Sequence, residues 1–190
     1  MASMRFIDLE GSDPYFNIAL EEYLLKHFRD NFVVLYRNRP SVIVGKHQNT
    51  VAEVNMRYVH AHNLPVVRRI SGGGTVYHDE GNLNYTVIRT GEAGKLVDFQ
   101  YYARPITEAL AELGVESYFA KKNSIFTGDK KISGNAEHVF KNRVLHHGTL
   151  LFASDLDALN EAITVNTGSY RSRAVASVRS VVTNISGHLG

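Results

Sequence analysis

The chain has 190 residues, and its 21 lysines and arginines against 19 acidic residues give a formal net charge of +2. That length suits one domain with a sizeable core, and so mild a charge gives no support for nucleic-acid binding. No apolar stretch approaches the roughly 18 residues of a membrane span, and residues 1–5 open no signal-peptide core, so we expect a cytoplasmic protein without membrane contact.

Residues 5–9 alternate like a strand, and a helix is predicted to follow. Asp13 is the expected N-cap, with Pro14 at the first helical position. An aromatic-rich stripe at helical spacing is predicted to be the face that packs into the core. Its residues are Phe16, Ala19, Leu20, Tyr23, Leu24 and Phe28.

Two strands, residues 32–36 and 41–45, are predicted to form a hairpin across residues 37–40. Gln48 and Asn49 then fall in a loop, and a short helix is expected near residues 52–62.

Three consecutive glycines, residues 72–74, come next, with Arg68 and Arg69 just before them. Strands are predicted at residues 75–78 and 83–88 around a turn. Such glycines let backbone N–H groups approach phosphate oxygens, which the arginines could also reach. A glycine-rich bend in an ordinary hairpin explains three glycines alone equally well. The loop is not a Walker A motif, because no Gly-Lys-Ser/Thr follows it, and the strand after it argues against a dinucleotide-binding fingerprint.

The second half of the chain is predicted to hold a helix over residues 99–113, bent at Pro105 and ended by Gly114. Strands follow near residues 117–119, 124–126, 131–140 and 143–152, and Ser154 is expected to cap a helix ending near residue 163. Residues 168–176, with Arg171 and Arg173, are predicted to be polar and irregular. Hairpins with interspersed helices indicate an α+β fold with a mixed, mostly antiparallel sheet flanked by helices.

The absence of cysteine excludes a disulfide, a thiolate zinc site and a cysteine nucleophile. Nine histidines raise the question of a metal site. His146 and His147 are neighbours on a predicted strand and therefore face opposite ways, and His60 and His62 do not face each other at the end of a helix. A structural zinc site is disfavoured, and the identity of any metal is left unknown.

Two blocks of the sequence resemble the lipoate–protein ligase A family. That family has an Arg-x-Ser-Gly-Gly-Gly-x-Val-x-His-Asp loop followed later by Gly-Asp-x-Lys-x-Ser-Gly-x-Ala. The matches are Arg69, Ser71, Gly72, Gly73, Gly74, Val76, His78 and Asp79 in the first block, and Gly128, Asp129, Lys131, Ser133, Gly134 and Ala136 in the second. Further matches at residues 13–17, 48–49, 147–149 and 177–180 extend the similarity over nearly the whole chain.

The resemblance implies a biotin/lipoate ligase-like fold, with residues 1–190 as a single catalytic domain and the C-terminal accessory domain absent. It implies that lipoate is activated by ATP with Mg²⁺ and transferred to a lysine of a carrier. The carriers would be lipoyl domains of 2-oxoacid dehydrogenase complexes or the glycine cleavage H protein. Relatives that pass the acyl group through an enzyme thioester need a cysteine, so its absence here favours activation through AMP.

The resemblance also assigns ATP or lipoyl-AMP binding to a set of residues around the two blocks, with Arg69 on the phosphates. The set is Arg69, Ser71, Gly72, Gly73, Gly74, Thr75, Val76, Tyr77, His78, Asn123, Lys131, Gly134, Ala136 and His147. Ser124 stands where many members have aspartate. Val44, Val66 and Val76 are candidate walls of an acyl slot.

Lys131 is the predicted catalytic residue. Adenylate formation builds negative charge on the α-phosphate and the attacking carboxylate, and one fixed ammonium can serve both. Lys130 and Lys131 are strand neighbours that point to opposite faces, so only one enters the pocket, and the family pattern selects Lys131.

Two other functions stay open. One is a lipoyltransferase that uses preformed lipoyl-AMP or needs a separate accessory subunit for adenylation. The other is a non-catalytic lipoate-binding protein. Because a covering domain would exclude water from the intermediate, we expect the 190-residue chain to transfer from lipoyl-AMP better than it performs the full reaction.

Overall fold

Two β-sheets and five α-helices make up the part of the chain described in a computed structural model, residues 3–92, 94, 96–164 and 174–189. In chain order the elements are β1 (Met4–Leu9), α1 (Pro14–His27), β2 (Asn31–Tyr36), β3 (Ser41–Val44), α2 (Thr50–Glu53), α3 (Met56–Ala61), β4 (Val66–Arg68), β5 (Val76–His78), β6 (Asn82–Thr90), α4 (Phe99–Glu112), β7 (Tyr118–Ala120), β8 (Ser124–Thr127), β9 (Lys130–Phe140), β10 (Arg143–Leu151), α5 (Leu156–Ile163) and a 3₁₀ helix (Ile185–His188). Arg171, Arg173 and most of the predicted irregular segment lie outside the described residues.

The larger sheet has seven strands in the order β1-β2-β6-β10-β9-β8-β7. Its β1 and β2 are parallel, and its other neighbours are antiparallel. The smaller sheet has the order β4-β3-β5, with β3 parallel to β4 and antiparallel to β5. The predicted α+β class and the mostly antiparallel sheet are therefore confirmed.

The predicted hairpin between residues 32–36 and 41–45 is wrong, because β2 lies in the large sheet and β3 in the small one. The connection between them crosses from sheet to sheet through the fully buried Asn38. Its side-chain oxygen accepts a hydrogen bond from Asn17 at 2.8 Å, and its amide nitrogen lies 2.9 Å from His78 Nδ1. The strands on either side of the 79–82 turn, β5 and β6, are divided between the two sheets in the same way.

Helix α1 begins as predicted, with the Asp13 carboxylate accepting from the backbone N–H of Tyr15 at 2.8 Å, but only part of the predicted core face is buried. Leu24 is buried and Leu20 packs against the core, whereas Phe16 is 61% exposed and Tyr23 is 53% exposed. The buried face is shifted around the helix and carries Asn17, Ile18, Glu21, Leu24 and Leu25. The apolar pattern was misleading because Glu21 and the Asn17 amide nitrogen, both on this face, are paired with other groups, which reduces the cost of burying them. Asn17 Oδ1 is buried without a partner among the described residues.

Helix α5 is capped by Asp155 rather than by the predicted Ser154. The Asp155 carboxylate accepts from the N–H groups of Asp157 at 3.1 Å and Ala158 at 2.9 Å. The predicted helix at residues 52–62 is two short helices, because Asn55 caps a new start at α3. Helix α4 and strands β7 to β10 are confirmed to within about two residues of the predicted ends.

Helix α1 packs on the large sheet through one hydrophobic cluster, and the small sheet packs on α5 through another. Leu25, Val34, Ile88 and Leu145 belong to the first cluster and are each almost completely buried. Among the described residues no helix is both long and apolar enough to span a membrane.

Truncating one side chain on each face of α1 tests directly which face stabilises the fold. Leu25→Ala removes a fully buried side chain, and we expect it to lower the free energy of unfolding by about 2–5 kcal/mol. Phe16→Ala removes a larger but mostly exposed side chain, and we expect a change within about 0.5 kcal/mol. Urea unfolding of both variants measures this, and equal losses would contradict the assigned face.

Candidate active site

A cavity of about 490 Å³, a size typical of small-molecule sites, opens where the two sheets meet. The β4–β5 loop, strands β9 and β10, the β7–β8 connection and residues 175–178 and 180 line it. The predicted site residues that the structure brings together here are Arg69, Gly73, Gly74, Thr75, Val76, His78, Asn123, Lys131, Gly134, Ala136 and His147.

Other predicted site residues lie outside this lining. Ser71 is fully buried behind the loop, and Gly72 contributes a carbonyl that Arg69 binds. Tyr77 packs in the core cluster under α5 and borders a second cavity of about 270 Å³, which also touches Val76 and Lys131. Val44 and Val66, the candidate acyl walls, belong to the same core cluster as Tyr77, so of the three valines Val76 alone lines the larger cavity.

Arg69 shapes the glycine-rich loop by donating to its carbonyls. Only 6% exposed, it donates from Nη2 to Gly72 O at 2.7 Å and Gly74 O at 2.6 Å, from Nη1 to Ile43 O at 3.1 Å, and from Nε to Ser71 Oγ at 3.0 Å. Burial lowers the pKa of Arg69 to about 10, although the Glu21 carboxylate opposes this. The predicted contact with nucleotide phosphates stays a prediction, because these donors already have partners.

A buried relay connects this loop to helix α1. Ser71 Oγ lies 2.6 Å from His147 Nε2, and His147 Nδ1 lies 2.8 Å from the Glu21 carboxylate. Glu21 also accepts hydrogen bonds from the hydroxyls of Tyr36, at 2.8 Å, and Thr86. Burial alone would raise the pKa of Glu21, but His147 and the two hydroxyls outweigh it, so the pKa is lowered and the carboxylate stays ionised.

The order serine, histidine, carboxylate is also that of the triad found in hydrolases. Here Ser71 is fully buried, does not line the cavity, and accepts a hydrogen bond from Arg69. A nucleophile has to reach its substrate, so this arrangement fixes the loop and does not attack a bound acyl group.

Lys131 lies on β9 and enters the cavity, whereas the neighbouring Lys130 is exposed and does not line it, as strand alternation predicts. The segment near the C-terminal end of the chain fixes the Lys131 backbone, which donates to Val181 O at 2.9 Å and accepts from Thr183 N at 3.1 Å. Burial, and to a lesser degree the charge of Arg69, lower the pKa of Lys131.

His78 gives the buried end of the cavity a neutral donor. The Asn38 side-chain oxygen accepts from Asn17, so its amide nitrogen is the atom next to His78 Nδ1. Because an amide nitrogen donates, His78 Nδ1 accepts and the proton of the neutral ring lies on Nε2. Burial first, and then the charge of Arg69, lower the pKa of His78 to about 3. Its Nε2 has no hydrogen-bond partner among the described residues.

The charges around the cavity are all positive within the described lining. Arg69, Lys121, Lys122 and Lys131 line it, and no aspartate or glutamate does. Such a lining suits a polyanion. It does not fit a protein-held Mg²⁺, which prefers carboxylate oxygens, and the described residues contain no group of three or more His, Asp or Glu side chains that could hold a metal.

Sequence reasoning missed several residues that build the site. Ser177 binds the loop through its hydroxyl, which accepts from Thr75 N and Gln48 Nε2, each at 3.0 Å, and contacts Glu53. Ser177 was part of a family match, yet nothing local predicted its contacts. Glu21 gave no signal at all, because one acidic residue in a helix is usually a solvated one.

Together the fold and the cavity define an α+β domain with a glycine-rich loop beside a cavity whose charged lining residues are cationic. The family model of the lipoyl protein ligase A/B catalytic domain matches residues 13–190, so the chain belongs to that family. It is 48% identical over 185 residues to lipoate–protein ligase 1 of Staphylococcus aureus, covering 96% of this chain and 56% of the relative. The chain thus spans about half the length of the curated relatives it matches.

Two solved structures share the fold. The bipartite lipoate protein ligase of Thermoplasma acidophilum, solved with its E2 lipoyl domain, superposes with a TM-score of 0.86 at 25% identity, over 100% of this chain and 77% of that one. A lipoate–protein ligase A bound with ATP superposes with a TM-score of 0.80 at 28% identity, over 98% and 77% of the two chains.

Gly134 leaves room for the Lys131 ammonium, and this can be tested. A Cβ at position 134 would lie 2.9 Å from Lys131 Nζ and 3.1 Å from Cε, so Gly134→Ala must move the lysine head. We expect the affinity for ATP, measured by calorimetric titration, to fall about tenfold or more, while the free energy of unfolding changes by less than about 1 kcal/mol. Gly187→Ala, where a Cβ meets nothing within 4 Å, is the matched control. Unchanged ATP affinity in Gly134→Ala would contradict the position given to Lys131.

Proposed function

We propose that this chain is the catalytic part of a lipoate–protein ligase, which activates lipoate with ATP to lipoyl-AMP and transfers the lipoyl group to a lysine of a carrier domain. The observation that carries the proposal is the cavity itself, whose charged lining residues are all cationic and whose lining also includes apolar side chains. Ile18, Ile43 and Val76 are the apolar side chains expected to contact an acyl chain. The names of its relatives support the same assignment.

The first step needs neutralisation of charge more than a nucleophilic side chain. A lipoate carboxylate oxygen attacks the α-phosphorus of ATP, a P–O bond forms, and the bond to pyrophosphate breaks. The Lys131 ammonium is the group we place against both the carboxylate and the α-phosphate, where it opposes their repulsion and the charge of the transition state. The N–H groups of Gly73 and Gly74, which make no hydrogen bond within the described residues, are available to phosphate oxygens.

In the second step the uncharged amine of a carrier lysine attacks the acyl carbonyl, an amide forms, AMP leaves and the amine loses a proton. Lys131 would remain on the AMP phosphate and stabilise this leaving group. The carrier is proposed to be a lipoyl domain, since the Thermoplasma relative was solved with one. Which complex supplies it, and a cytoplasmic location, are further parts of the proposal.

The ATP is expected to arrive with Mg²⁺ on its phosphates, because the described lining offers no carboxylate to hold the ion. Lipoate and ATP are the proposed substrates, in line with the ATP-bound relative. No step assigned above to a residue of this chain depends on the metal.

A second function is transfer from preformed lipoyl-AMP, with adenylation requiring a separate accessory subunit. One observation favours it: the Thermoplasma relative that covers this whole chain is described as a bipartite ligase. Pyrophosphate release with ATP and lipoate separates the two functions, since the transferase alone releases none. A non-catalytic lipoate-binding protein would fail both this reaction and transfer from synthetic lipoyl-AMP.

The proposal is tested on Lys131 with Lys130 as its matched control. Lys131→Ala is expected to lower lipoylation of a lipoyl domain by about a hundredfold or more, because it removes a buried electrostatic group. Lys130→Ala removes an exposed lysine from the other face of the strand and is expected to keep most of the activity. Mass spectrometry of the carrier after incubation with ATP and lipoate measures both. Equal loss in two folded variants would rule out the assigned role.

A further inference from the structure

The connection between β7 and β8 carries two lysines, Lys121 and Lys122, at the cavity lining. We propose that they bind the β- and γ-phosphates of ATP, so that they are needed to form the adenylate and not to use it. This inference rests on the proposed function, because it names further binding residues of the same site. Its basis is the backbone of the connection, its attachment to β9 and the charge around the cavity.

Both lysines have a left-handed backbone, with φ of 50° at Lys121 and 71° at Lys122. This conformation costs non-glycine residues of order 1 kcal/mol each, so glycine or asparagine would suit the turn better on stability alone. Turn geometry explains the conformation but not the residue type. Lys141, in the β9–β10 turn, has a similar φ of 57° and lies outside the cavity.

The connection is attached to the strand that carries Lys131. Asn123 Nδ2 donates to Asn135 O at 2.9 Å, and Asn123 O accepts from Asn135 N at 2.8 Å. The Asn135 side chain adds a hydrogen bond to Asn123 O at 3.2 Å. These bonds attach the connection at Asn123 to the strand that carries Lys131, so the backbone that carries the two lysines lies beside that strand.

The β- and γ-phosphates of ATP need positive charge beyond that of Arg69 and Lys131, and these two lysines can supply it. Four of the five Arg69 N–H groups donate to Ile43 O, Ser71 Oγ and the loop carbonyls, and Lys131 contributes one further charge. A triphosphate with one bound Mg²⁺ still carries more negative charge than the single phosphate of an acyl-adenylate. No carboxylate in the described lining can hold a metal ion against the additional phosphates. The ammonium groups of these two exposed lysines can supply that charge, and the Lys121 ammonium would have to leave the Phe126 ring, whose centroid lies 4.8 Å from it.

The phosphate assignment makes a prediction that separates the two half-reactions. Lys121→Gly/Lys122→Asn removes both charges and keeps residues that tolerate a left-handed backbone, so folding is preserved. We expect the KM for ATP in lipoate-dependent pyrophosphate release to rise about tenfold or more. Single-turnover transfer from synthetic lipoyl-AMP to an apo lipoyl domain is expected to change less than about twofold, since that substrate has no β- or γ-phosphate.

Lys141→Asn is the matched control, because it removes a turn lysine of the same conformation outside the cavity, and it should leave both half-reactions unchanged. An equal loss of adenylation and transfer in the double variant would overturn the proposal and indicate that the lysines dock the carrier. No change in either half-reaction would overturn it as well.

Direct titration with inorganic pyrophosphate gives a readout that does not need adenylation. We expect the affinity for pyrophosphate to fall about tenfold or more in the double variant and to stay unchanged in Lys141→Asn. The unmodified chain could form no adenylate and yet bind pyrophosphate more tightly than the double variant. In that case the proposed ligase activity fails and the phosphate assignment stands. Equal pyrophosphate affinity in all three proteins would refute the assignment whatever the activity.

Discussion

The glycine-rich loop depends on a buried ionic group, the Arg69 guanidinium, which donates to two loop carbonyls and to Ser71. A buried charge is costly unless it is compensated, and the nearest compensation is the ionised Glu21 carboxylate on helix α1. Between them, Ser71 and His147 form an unbroken path of hydrogen bonds. The loop, the large sheet and α1 are thereby held in one arrangement, with the cavity at their junction.

The charged groups of the site have different roles. Arg69 and Glu21 bind other groups of the protein, so the group best placed to bind the charge of a ligand is Lys131. Ile43 and Val76, on paired strands of the small sheet, form an apolar part of the cavity lining. A lining with both cationic and apolar side chains suits a ligand that carries a phosphate and a hydrocarbon chain.

Much of the site could be predicted from the sequence where the deciding physics is local. Period-two alternation of strand β9 predicted that Lys130 and Lys131 face opposite ways, and the family pattern selected Lys131 as the one inside. Gly73 has a φ of +87°, which glycine tolerates best. The support of the loop could not be predicted, because Glu21 and His147 are 126 residues apart and meet only in the folded chain. The prediction of the buried face of α1 was partly wrong for the same reason, because a polar residue such as Asn17 is expected to be solvated when its distant partner is unknown.

The relay from Glu21 to the loop is tested most directly by a double-mutant cycle on the free energy of unfolding. Glu21→Gln and Ser71→Ala are combined, and urea unfolding is measured for the unmodified chain, both single variants and the double variant. Because both residues act on the loop through His147, we expect the two effects to be non-additive by about 1 kcal/mol or more. Additivity to within about 0.4 kcal/mol, the behaviour of independent sites, would contradict it.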